Sequence, residues 1–233
     1  MEIKSSKIRN MFSEIAPRYD LLNSLLSLGV DRFWRARAVK ELLSKKGTLF
    51  LDVAAGTGDI SLSIASGDVS HVLGVDFSFE MLKQGFVKKN KGEMGSAVKL
   101  LNGDALSLPF KDSIFDGAIS AFGVRNFTDV PRGISEMRRV MKGGGKLVIL
   151  EFSEPGLPLF KHVFELYFKY MLPFIGGVIS GSHEAYRYLH DSVSQFNRVC
   201  GLTDVLQNEG FINVKAAPLS FGIASIYTCE NPG

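Results

Sequence analysis

At 233 residues, with 45% hydrophobic and 22% charged residues, the chain has apolar side chain enough for a large core, and its composition excludes an extended disordered protein. Two cysteines, Cys200 and Cys229, exclude a disulfide framework and lack metal-ligand spacing, so they read as free thiols in a reducing compartment. The net charge of +3 is uneven: residues 1–46 hold ten Lys/Arg against five Asp/Glu, which leaves −2 for the remainder. A basic face of this kind reads first as solvated helix surface, and as a site for anionic lipid or RNA only with further support.

Residues 1–46 form a helical N-terminal extension in which Lys4, Lys7, Arg9 and Glu14 leave no apolar stretch for an export signal. From Thr48 onward, short β-rich runs alternate with helical periodicity, the mark of a parallel sheet covered by crossover helices. Strands are predicted at 48–53, 71–76, 98–103, 116–122 and 146–152. Helices fall between them at 59–66, 78–90 and 130–141, opening near the capping-type residues Asp59, Ser78 and Asp129. Residues 155–200 carry no strand signal and read as a helical insertion, followed by a helix near 201–209 and strands near 211–218 and 222–229. The most apolar stretch, Leu157 to Ile179, is interrupted by Lys161, His162, Glu165 and Lys169 and never reaches the ~18 uninterrupted residues of a membrane span.

The insertion also holds much of the excess of eighteen Phe, at Phe160, Phe164, Phe168, Phe174 and Phe196, with Phe152 just before it. Lys161, Glu165 and Lys169 form a charged stripe, and Phe160, Phe164, Tyr167 and Met171 an apolar one. Such a helix reads as core packing, and also as an apolar lid or a surface resting on a membrane, readings that are compatible. No repeat or Ser/Gly linker divides the chain, so 1–233 reads as a single domain.

The first strand runs into Asp52-Val53-Ala54-Ala55-Gly56-Thr57-Gly58, small residues that let the backbone approach a ligand at the carboxyl edge of the sheet. The third position of a dinucleotide fingerprint is filled by Ser61, and no Lys follows the glycines as a P-loop requires. The second strand ends at Asp76, 18 residues after Gly58, near the ~20 expected of a carboxylate that takes ribose hydroxyls. The third ends at Asp104, placed for an adenine amino group. One such acid is usually a helix cap; three at one edge, expected in register, point to a nucleoside ligand.

The string Tyr19-Asp20-Leu21-Leu22-Asn23-Ser24-Leu25-Leu26-Ser27, followed by Gly29 and Trp34, resembles the N-terminal motif of the ubiquinone/menaquinone biosynthesis C-methyltransferases. Arg139 through Ser153 resembles that family's second motif, and Phe122-Gly123-Val124-Arg125-Asn126-Phe127-Thr128-Asp129 and Tyr186-Arg187-Tyr188-Leu189 match as well. The resemblance covers about residues 8 to 228. It implies an α/β class I fold with a Rossmann-like seven-stranded sheet and helices on both faces, S-adenosyl-L-methionine as methyl donor, and a polyprenylated quinol as acceptor. It carries cofactor contacts onto Thr57, Asp76, Asp104 and Ala105. The full cofactor set is read as Asp52, Ala54, Gly56, Thr57, Gly58, Asp76, Phe77, Asp104, Ala105 and Ala121. Three positions depart from the family pattern: Asp31 stands for a usual His, Gly143 for Pro, and Ala121 for a Ser that often contacts cofactor.

Methylating an aromatic carbon needs a carbanion-like carbon held near the methyl, which a hydroquinone supplies once one hydroxyl is deprotonated. Arg125, beyond the fourth strand, is the candidate to stabilise that phenolate through its forked donors; a surface salt bridge is its alternative role. Asp20, His190 or a held water are candidates to take the proton, although His190 reads first as an ordinary, partly exposed histidine. Tyr19, Asn23 and Asn126 are candidates to hold the ring. His71, opening a strand, reads as structural.

The expected reaction is methylation of demethylmenaquinol to menaquinol, favoured over a ubiquinone precursor by the short stretch before Tyr19. Alternatives are a methyltransferase of another apolar molecule, a non-catalytic cofactor-binding protein of a quinone-synthesis complex, and an NAD oxidoreductase, which Ser61 disfavours. Metal-assisted O-methylation would need a carboxylate or His cluster that the sequence lacks. The chain is expected in the cytoplasm, with peripheral contact at the membrane surface, no nucleic-acid partner, and a homodimer as an open state.

Overall fold

The structure is a computed structural model that describes residues 2–66, 71–91, 96–155, 166 and 183–233. Three helices come first: α1 (Glu2–Ile15), α2 (Tyr19–Leu26) and α3 (Val30–Leu42). The chain then enters β1 (Leu49–Val53), α4 (Asp59–Ala65), β2 (His71–Asp76), α5 (Phe79–Lys91), β3 (Val98–Asn102), β4 (Phe115–Ala121), α6 (Val130–Val140) and β5 (Met141–Phe152). After the insertion come α7 (His183–Val199), α8 (Leu202–Asn208), β6 (Ile212–Leu219) and β7 (Ala224–Glu230). The striped helix expected around Lys161 to Met171 lies outside the described residues.

Seven strands form one sheet in the order β3-β2-β1-β4-β5-β7-β6, with β7 antiparallel to both neighbours. The chain winds outward from β1 to β3 and then jumps back to β4, leaving a crevice between the carboxyl ends of β1 and β4 where the order reverses. Alternation along the strands divides the core. Phe50, Ile119 and Val148 point to one face, with Trp34, Leu42 and Ile64. Leu51, Ala118 and Leu147 point to the other, with Ile134, Met137 and Val140 of α6. Those three helical residues, spaced by three, are fully buried, which is what an amphipathic crossover helix provides.

Two local expectations are corrected. Asp59 is the first residue of α4, and the cap position belongs to Gly58 at φ +78, which the left-handed backbone reserves for glycine. Asp129 does cap α6, accepting from the Arg132 N–H at 3.0 Å. β5 starts at Met141, five residues before the expected start. Phe115 pairs with Met141 and Gly117 with Lys146, so residues 142–145 bulge out of register through Gly144 at φ +74. Among the described residues no helix is long and apolar enough to cross a membrane.

Candidate active site

A cleft opens at the crevice between β1 and β4. Its floor is the turn after β1. Ala54, Gly56 and Gly58 all have positive φ, at 59°, 57° and 78°, so the chain reverses within five residues and presents backbone rather than side chain. Ala54 pays steric strain for this, of about 1–2 kcal/mol, and strain of this kind concentrates at ligand sites. Gly123 closes the other side: a Cβ there would lie 2.5 Å from the Ala54 Cβ, so only glycine lets the β1 and β4 turns approach so nearly.

Asp76 lies at the end of β2 on the cleft wall. Its Oδ2 accepts from the Gly56 N–H at 2.8 Å and its Oδ1 from the Ser78 N–H at 2.8 Å. Each oxygen keeps a further lone pair, the arrangement that two adjacent ribose hydroxyls require. Burial pushes this carboxyl up to about 6, against the pull of the backbone donors. Phe77, Met81 and Leu106 give flat or flexible apolar walls beside it. Asp104 and Ala105 line the same end, and Asp104 is exposed, with Oδ1 accepting from the Leu106 N–H at 2.9 Å. Ala121 also lines the cleft, so its methyl group leaves that wall without the hydroxyl a Ser would bring.

Asp52 is not at this level. It pairs with Gly74, two positions before Asp76, and is 1% exposed, with Ser61 Oγ donating to it at 2.7 Å. The three acids are thus not in register, and Asp52 lies beneath the turn rather than in the cleft. Burial, with Asp76 adding to it, pushes its carboxyl up to about 7. Ser61, read from the sequence only as a break in a dinucleotide fingerprint, is its hydrogen-bond partner. Thr57 is also buried, and its hydroxyl is spoken for: it donates to Asp20 Oδ1 at 2.6 Å and accepts from Lys88 Nζ at 2.8 Å.

The same bond reassigns Asp20. Its second oxygen pairs with Lys88, which also pairs with Asp59, and Asp59 in turn pairs with Arg35 at 2.7 Å. Asp20 therefore clasps α2 to the glycine turn and is not placed as a free base. Asp31 extends the network, taking the Ser27 hydroxyl at 2.7 Å. Tyr19, one residue before Asp20, does line the cleft, and its ring meets Phe12 edge-on with centroids 6.1 Å apart. Phe12 and Lys88 escaped the sequence reading because nothing local marks an α1 aromatic or an α5 lysine as neighbours of a strand end.

Arg125 is placed differently from its expected role. Its side chain is 5% exposed and pairs at 3.1 Å with Glu151, which is 0% exposed. The guanidinium also donates to the Phe122 carbonyl and stacks over Phe152, 5.5 Å from the ring centre. It does not line the cleft. Its Nη1 faces the Glu151 carboxylate because a buried cation needs a counter-charge. The pair holds Phe122, whose φ of 59° is strained for an aromatic residue, so that Phe122 and Gly123 form the cleft wall. A signal for Glu151 was present: one acid inside the apolar run Leu147 to Phe152 must be paired. Asn126 does line the cleft, while His190 bonds Asp191 at 3.1 Å.

A carboxylate at the end of β2, a strained glycine turn after β1 and this sheet order are those of the class I S-adenosylmethionine-dependent methyltransferase fold. Solved structures share the fold. A possible histamine N-methyltransferase from Thermotoga maritima aligns with a TM-score of 0.66 at 19% identity, over 95% of this chain and 98% of that one. The family model described as the ubiE/COQ5 methyltransferase family matches residues 1–230, and the chain belongs to that family. It is 46% identical to a ubiquinone/menaquinone biosynthesis C-methyltransferase UbiE from Geobacter sp. (strain M21), over 96% of both chains. It is 45% identical to a demethylmenaquinone methyltransferase from Thermus thermophilus, over 95% of this chain and 100% of that one. A demethylmenaquinone methyltransferase from Deinococcus radiodurans is 42% identical, over 96% of this chain and 92% of that one.

Proposed function

We propose that this methyltransferase acts on a ring carbon of a polyprenylated quinol, and that the acceptor is demethylmenaquinol. The observation that carries the reading is the lining of the cleft, which brings together Asp76 and Asp104 from the ends of β2 and β3, Tyr19 of α2, and Asn126 and Phe127 from the turn after β4. The names of the Thermus and Deinococcus relatives support the choice of acceptor.

S-adenosylmethionine supplies an electrophilic methyl group. Asp76 would hold its ribose, the Gly56 region would give backbone to its amino-acid end, and Phe77, Met81 and Leu106 would flank its base. Asn126 and Tyr19, which line the same cleft, orient the ring hydroxyl that must lose its proton, and the apolar wall keeps bulk water from the reacting carbon. Asp20 is engaged with Lys88 and His190 with Asp191, so the ring proton passes to water.

A lipid acceptor places the chain at a membrane surface. Leu21, Leu28 and Phe33 are 63%, 87% and 61% exposed at the corner of α2 and α3, with Arg32 and Arg37 exposed beside them. Apolar tips between arginines suit an anionic bilayer. Incubating the protein with S-adenosylmethionine and a short-chain demethylmenaquinol tests the reaction: mass spectrometry should find a product heavier by one methyl on carbon. Cofactor binding with no methylated quinol, or methylation on oxygen, would refute the proposal.

A further inference from the structure

The helix α7, at the end of the insertion, sends one side chain to the cleft wall. Tyr188 Oη donates to Asn126 Oδ1 at 3.0 Å. The opposite side of the same amide faces the Phe122 carbonyl, with Nδ2 3.4 Å from that oxygen. A carbonyl oxygen only accepts, so the NH2 group must face Phe122 and the amide oxygen must face Tyr188; the flipped amide would set two oxygens against each other. The Phe122 carbonyl is itself held by the buried Arg125. The Asn126 amide is therefore fixed from two sides, and its second N–H has no partner among the described residues, on a residue that lines the cleft. Burial pushes the Tyr188 hydroxyl above its ordinary 10, so it remains a proton donor across the neutral range.

We propose that Tyr188 is a positioning residue for the acceptor: it locks the Asn126 amide so that the remaining N–H donates to a ring oxygen of the phenol or hydroquinone being methylated. This rests on the reading above that the acceptor ring lies against Asn126. An oxygen that gains negative charge in the transition state takes a stronger bond from a preoriented donor than from a rotating one. Tyr188 touches neither ligand and acts through Asn126.

The test is a cycle of Tyr188→Phe, Asn126→Ala and the double variant, using a short-chain demethylmenaquinol for steady-state kinetics and calorimetry for S-adenosylmethionine. Tyr188→Phe keeps the ring and its packing, and its thermal midpoint should stay near wild type. Its kcat should fall about tenfold with a smaller change in acceptor KM and no change in cofactor affinity. In the double variant the loss should equal that of Asn126→Ala alone, because without the amide there is nothing for Tyr188 to orient. A Tyr188→Phe loss that adds in full to that of Asn126→Ala, or one matched by weaker cofactor binding, would overturn the proposal while leaving the acceptor placement intact. Wild-type kinetics in Asn126→Ala would overturn the placement itself, and the role of Tyr188 with it.

Discussion

Replacing Glu151 by Ala should damage the fold before it damages the chemistry. The change removes the partner of a guanidinium whose side chain is 5% exposed, and with it a contact at 3.1 Å to Nη1 and one at 3.2 Å to the Arg125 backbone N–H. Nothing in the described structure replaces the carboxylate, and Arg125 Nε is already buried without a partner. Leaving one charge of a buried pair typically costs ~3–5 kcal/mol. In a chain of this size ~1 kcal/mol shifts the melting midpoint by ~2–4 °C, so a fall of ~6–20 °C is expected. Glu151→Gln keeps the acceptor oxygen and the volume and should lose less. Arg125→Met combined with Glu151→Leu removes both charges and should melt above either single truncation. Circular dichroism against temperature and urea measures wild type, these variants and the two single changes, with the urea slope checking that the transition remains two-state. A Glu151→Ala variant within ~1 kcal/mol of wild type, or a double variant as unstable as the two single losses added, would refute the argument. The same reasoning predicts that Arg125→Ala loses turnover together with stability, because the Phe122 turn moves.

Asp76→Ala should weaken S-adenosylmethionine binding at least ~10-fold by calorimetry, since charge-assisted bonds contribute ~1.5–3 kcal/mol each. Burial holds the Asp76 carboxyl at about 6, and ribose hydroxyls need the ionised form, so wild-type affinity should be level above that pH and fall as pH drops below it; Asp76→Asn should lose this dependence. Asp52, raised by burial from 3.8 to about 7, holds a proton in the native state where the unfolded chain has released it. Its contribution is therefore fully present below pH 3.8 and lost as pH rises through about 7, and Asp52→Asn, which keeps the Ser61 bond, should gain on wild type in melting temperature between pH 6 and 8. Lys88→Met should loosen Asp20 at the glycine turn, leaving the Thr57 hydroxyl as its tie there, and speed cofactor release severalfold in stopped-flow experiments; unchanged release would mean that the clasp does not limit exchange.

The strands and crossover helices were legible from the sequence because each is written in local periodicity: β2 and α5 fall within a residue or so of expectation, and the carboxylate ending β2 lies in the cleft. Ala54, Gly56, Ala105 and Asn126 line that cleft for the same reason, since strand ends at the β1/β4 reversal converge on one crevice. What periodicity does not carry is which charge meets which. Asp20 meets Thr57 across 37 positions, Arg125 meets Glu151 across 26, and Tyr188 meets Asn126 across 62. Each of these pairings depends on how crossovers and terminal helices stack on the sheet. A buried charge takes whichever partner that packing brings within about 3 Å, because leaving it unpaired costs more than any local preference supplies. The sequence alone thus determined the sheet, the edge at which its strand ends line a cleft, and the family resemblance. Only the tertiary structure decided that Asp52 lies beneath the turn, that Asp20 and Thr57 form a clasp, and that Arg125 holds the cleft wall from behind.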